Sequence, residues 1–255
     1  MNNPVLLVPP IINVIVTGLF AGVILRQYLT RHRIYQLYWS IALTMAFLAT
    51  IAYIFMIVVE PTSSAGTLLF RLYYILGGAL MPSWLGLGSI ALVSSPRVTR
   101  ISVSVLSVLS VLAAVLIFLA NIDMAKLSQI AGTPGTGTLQ PGAWLAMTII
   151  LNTAGVVAVV GVALYSGWKL LRRQANVGDM RTSNVLWANI LILTGAILNA
   201  VAGTLARLLG IQNTFWLIMS IGWIVLFAGV LLANRRSSTP KLATVTKEAA
   251  QLIKQ

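Results

Sequence analysis

The 255-residue chain contains no cysteine, one histidine and only four acidic residues. Each scarcity closes a class of chemistry. Without thiols there are no disulfides, no sulfur nucleophile and no thiolate metal ligands. Glu60, Asp123, Asp179 and Glu248 fall outside or at the ends of the apolar runs, and His32 stands among arginines. No carboxylate or imidazole is placed mid-membrane to relay protons as pumps require. Haem and metal ligands are equally missing from those runs. The last run carries no lysine, so a retinal-type Schiff base has no amine to form on. An intramembrane enzyme needs a nucleophile beside a base or a metal. The sequence offers neither, and the expectation is a non-enzymatic protein without catalytic residues, metal or cofactor.

What is abundant is apolar. Hydrophobic residues make up 58% of the chain and charged ones 8%, against about 25% charged in soluble domains. Seven runs reach the roughly 20 residues that a helix needs to cross a bilayer. They occupy 5–25, 35–59, 68–93, 101–120, 143–168, 185–205 and 215–233. The predicted fold class is therefore all-α, a polytopic bundle of seven transmembrane helices. Residues 1–236 form the membrane domain and 237–255 a basic amphipathic cytoplasmic tail. The first run has no charged leader and no small-residue cleavage site, and is expected to be retained as a span.

The net charge of +13 is distributed by loop. Arg26, Arg31, His32 and Arg33 follow the first run, Arg97 and Arg100 the third, Lys169, Arg172, Arg173 and Arg181 the fifth, and Arg235 and Arg236 the seventh. Alternate loops hold Glu60, then Asp123 with Lys126, then the short 207–213 turn. The positive-inside rule places the N-terminus outside and the C-terminus in the cytoplasm. Such loops orient the spans and touch anionic headgroups, so nucleic acid is not an expected partner. The lipid bilayer is, together with a membrane-protein partner or a second copy of the chain. The inner (plasma) membrane is the expected location.

The third run carries Arg71, Tyr73, Tyr74, Pro82 and four glycines, residues a greasy helix places only where a helix, ligand or water faces it. Pro82 removes a backbone donor and predicts a kink. Arg71 is expected to snorkel to the headgroups or to pair structurally; the sharper alternative turns it inward with Arg207 to form an electropositive outer vestibule. Arg71, Tyr74, Asn152 and Arg207 are the candidate ligand-binding residues. Asn13, Asn152, Asn189 and Asn199 are intramembrane amides that need partners. The tryptophans and tyrosines near run ends, Trp39, Trp144, Trp168, Trp187 and Trp216 among them, read as interfacial belts. The long 121–142 loop, rich in Gly and Pro at its end, reads as a spacer, with a lid as the alternative. Asn13 with Gly22, Val23 and Leu25 parallels Asn152 with Gly161, Val162 and Leu164, which suggests a three-plus-one-plus-three repeat.

The runs at 152–173, 184–207 and 71–89 resemble a group of bacterial seven-span membrane proteins of unassigned function, a resemblance that implies the fold and no activity. In layout alone the chain is also similar to rhodopsins and to sugar-transporting semi-symmetric bundles. The missing lysine argues against the first. The absence of a Pro-Gln pair in the early spans argues against the second. A receptor-like sensor or accessory subunit of a membrane assembly, binding a partner or an apolar ligand, is the expected function. The alternative is a carrier for a small neutral or anionic solute.

Overall fold

The computed structural model describes residues 4–174 and 180–234. It is 85% helical, and seven of its helices are long and apolar enough to span a membrane. A 3-10 turn at Pro4–Leu7 leads into α1 (Val8–Arg31), followed by α2 (Ile34–Val59). The third span is composite: α3 (Ser64–Tyr73), a π-helical segment (Tyr74–Leu80) and α4 (Met81–Val93). Then come α5 (Pro96–Leu119), the one-turn α6 (Met124–Leu127), α7 (Ala143–Gln174), α8 (Met180–Leu208) and α9 (Phe215–Asn234). The chain is a multi-pass membrane protein. The tail at 237–255 lies outside the described residues.

Several helices run past the apolar stretches that announced them. Arg26 and Arg31, expected in a loop, belong to α1, and α7 continues through Lys169 and Arg172. Arg, Lys and Gln are good helix formers, so nothing stops the helix where the hydrocarbon ends. Termination comes from local chemistry instead. His32 closes α1 in the left-handed region, its N–H bonded to the Tyr28 carbonyl at 2.7 Å, in the manner of a C-terminal helix cap. Ser63 and Ser95 cap α3 and α5 by accepting from Gly66 and Val98, which satisfies N–H groups that no helical carbonyl reaches.

Helix neighbours run α1–α2–(α3/α4)–α7–α8–α9 and back to α1, with α5 outside the ring against the third span and α7. Exchanging spans one, two and three for five, six and seven leaves this order unchanged, as a three-plus-one-plus-three layout requires. The correspondence stops at the side chains. Asn13 donates to the Thr50 hydroxyl of the adjacent second span at 3.2 Å, whereas Asn152 reaches a backbone carbonyl of the third span at 2.9 Å.

Close approach is set by small residues, because lipid supplies no hydrophobic force between helices. A Cβ on Gly86 would stand 2.8 Å from the Gly155 Cα, and one on Gly155 would meet the Pro82 carbonyl. These glycines let α4 and α7 touch backbone to backbone. Two clusters of buried apolar side chains result. One is centred on Tyr53, Phe70, Ile117 and Trp216 near the end that carries the 121–142 loop. The other is centred on Phe20, Leu43, Trp223 and Leu226 and joins both triplets.

Candidate functional site

The π-helical segment organises the middle of the third span. Met81 donates to the carbonyl five residues back, Leu76, and Pro82 has no N–H to give to Gly78, its α-helical acceptor. Asn152 supplies the missing donor from α7. Its own Oδ1 is buried without a partner. The expected disturbance near Pro82 is thus a change of helical register just upstream, repaired from across the interface.

One turn toward the loop-bearing end, Tyr74 is buried and accepts from Arg207 Nη2 at 2.6 Å. Arg207 has no carboxylate within ion-pair distance, since the one ion pair among the described residues is Lys126 with Asp123. Arg71 goes elsewhere. It donates to the carbonyls of Ile117 and Phe118 at the end of α5, and its guanidinium lies 5.2 Å from the Phe118 ring. A cation on the last carbonyls of a helix meets the negative end of its dipole. Of the four candidate residues, the structure brings Tyr74 and Arg207 together, sets Asn152 on Gly78 one turn from Tyr74, and turns Arg71 to a different helix.

Around Tyr74 lies an aromatic nest. Tyr53 packs at a tilt against Trp216 at 4.5 Å and against Tyr73 at 5.3 Å, and Trp144 meets Tyr74 edge-on at 5.4 Å. Trp144 and Trp216, expected in an interfacial belt, are 5% and 3% exposed; Trp168 and Trp187, at 59% and 57%, stand on the surface. The difference is made by the 121–142 loop. The loop is no loose spacer, because it folds over the end of the bundle. Leu127, Ile130 and Leu139 are buried in the cluster beneath it. Tyr53 donates to the Ile130 carbonyl and accepts from Gly132, Tyr73 donates to Pro134, and Trp216 donates to Thr133. Within the loop, Gly132, Gly135 and Gly137 take positive φ, which β-carbon-bearing residues rarely adopt.

At the other end the six ring helices line a partly open cavity of ≈ 80 Å³. Its wall is mostly apolar and includes Phe20, Leu43, Leu85, Val159, Ile192 and Leu226, with Trp39, Ser89, Ser166 and Asn189 as its hydrogen-bonding side chains. The Asn189 Nδ2 is buried and has no acceptor. Sequence reasoning missed this site as a site. Asn189 stood out only as an amide needing a partner, and nothing in spacing along one helix reveals what six helices jointly surround.

No family model, curated protein or solved structure matches the chain, so no activity reaches it from a relative.

Proposed function

We propose that the protein is a non-enzymatic seven-helix module that holds an apolar ligand between its two helix triplets. It serves as a receptor-like sensor or an accessory subunit of a membrane assembly. The observation that carries this reading is the cavity itself, walled by all six ring helices. A ligand there touches both triplets and biases any change in their relative position, which is how occupancy becomes a conformational output. The opposite end is strapped shut by the 121–142 loop, so the cavity belongs to the basic end alone. On this reading the protein sits in the inner (plasma) membrane with the basic end and C-terminus in the cytoplasm.

The test is extraction of bound apolar molecules from protein purified in mild detergent, beside an Ala163→Phe/Val159→Phe variant in which the space is filled. Loss of the bound species in the variant supports the reading. Equal content in both proteins removes it.

A second reading, a carrier for a small anionic solute, is favoured by Arg207, whose guanidinium meets Tyr74 without a carboxylate. Uptake of labelled anions by proteoliposomes, abolished by Arg207→Gln, would support it. Absence of uptake would discard it.

A further inference from the structure

Two sides of α7 part company as the helix nears the basic end. Val159, Ala163 and Ser166 turn toward the cavity. Val157, Leu164, Tyr165 and Trp168 fall on the opposite side of the 3.6-residue period and are exposed. Lys169 and Arg172 continue that outward side and are exposed as well. Residues three and four apart are neighbours on a helix surface, so Tyr165, Trp168, Lys169 and Arg172 form one patch.

Both cations of the patch are folded back one turn onto its rings. Lys169 Nζ lies 5.8 Å from the centre of the Tyr165 ring, and the Arg172 guanidinium 4.8 Å from that of Trp168. An aromatic face attracts a cation but does not neutralise it. Neither charge meets a carboxylate. Among the described residues the carboxylates are Glu60 and Asp123, both at the opposite end, where Asp123 pairs with Lys126. Lys169 is also the last residue of the apolar segment that crosses the membrane. Two uncompensated positive charges are thus held at the level of the lipid headgroups, where Trp and Tyr side chains settle. Leu164 and Val157 carry the same side on into the hydrocarbon.

We propose that this face of α7 binds an anionic phospholipid, with its phosphate on Lys169 and Arg172 and its chains along Leu164 and Val157. The Arg172 fork can hold two phosphate oxygens together, and Lys169 adds a point charge. A free phosphate would satisfy the cations and leave the apolar strip unused. The site lies outside the ring of helices and does not depend on the cavity reading.

Trp168 reports on the site directly. The full chain is reconstituted in phosphatidylcholine vesicles that carry a small fraction of brominated phosphatidylglycerol or of brominated phosphatidylcholine with the same chains. Quenching of Trp168 is taken as the difference between each protein and its Trp168→Phe counterpart. Phosphatidylglycerol is expected to occupy the site at least about fivefold better than phosphatidylcholine, the ratio that one basic residue near an anionic lipid provides. Lys169→Gln/Arg172→Gln should bring the two lipids level. Arg31→Gln/Arg33→Gln removes the same charge from the turn between α1 and α2, across the ring from α7, and should leave the preference unchanged. Equal quenching by both lipids in the wild-type protein overturns the proposal, and so does a preference that survives Lys169→Gln/Arg172→Gln. An equal loss in both double variants would mean a general surface potential and no site. Inorganic phosphate that erases the preference at constant ionic strength would assign the patch to a free anion and overturn the lipid.

Discussion

Asn152 donates to the carbonyl of Gly78, the group from which Pro82 withholds the usual helical donor. The bond crosses from α7 to the third span at the level where Gly155 lies against the Pro82 backbone. A defect in one helix is thereby answered by a side chain of another. The pair couples the two triplets more specifically than apolar packing does.

Replacing Asn152 by Ala should lower thermal stability in detergent by about 1 kcal/mol, within the range measured for intramembrane hydrogen bonds. Pro82→Ala restores a backbone donor to Gly78, so Asn152→Ala should cost less in that background. A double-mutant cycle reads the coupling. Additive costs would show that the amide and the proline act independently.

Gly155 admits no side chain. Gly155→Val forces the substituent into the Pro82–Ser83 backbone, and overpacking of this kind costs about 1–3 kcal/mol. Monodisperse yield on size-exclusion chromatography should fall sharply. Gly161→Val, where a Cβ meets nothing within 4 Å, should leave it unchanged.

Tyr53→Phe removes both hydrogen bonds that its hydroxyl makes with the loop, a loss of about 2 kcal/mol at roughly 1 kcal/mol each. Amides 128–136 should exchange with deuterium faster, while those of α7 and α8 keep their protection. Such a split is expected of a strap that opens locally. Uniform acceleration across the bundle would mean that Tyr53 supports the fold at large.

The absence of cysteine makes topology directly testable. Single cysteines at Thr136, in the loop, and at Ser94, between the third span and α5, lie at opposite ends of the bundle. A membrane-impermeant thiol reagent added to intact cells should label Thr136→Cys and spare Ser94→Cys. The reverse pattern would invert the proposed orientation.

The seven spans were legible because span length is set by the bilayer and needs no tertiary information. The 121–142 loop was misread because its burial depends on Tyr53, Tyr73 and Trp216, partners far away in sequence. Trp144 and Trp216 resemble belt residues by position, and only the loop above them turns them into core. Arg71 and Arg207 look alike on paper, each near a span end. The helices they face, α5 and the π-helical segment, separate them. The register change at Tyr74–Leu80 was anticipated as a kink, since Pro82 shows that a donor is missing but not how the backbone absorbs the loss.

Because Trp216 stands in α9 and holds Thr133 of the loop, the seal at the loop-bearing end cannot be completed by the first six spans. During synthesis the loop emerges between the fourth and fifth spans and finds Tyr53 and Tyr73 already in place. It must then wait for the last helix to enter the membrane. Closure of that end is the concluding event of assembly, and a chain halted before Phe215 would remain unlatched.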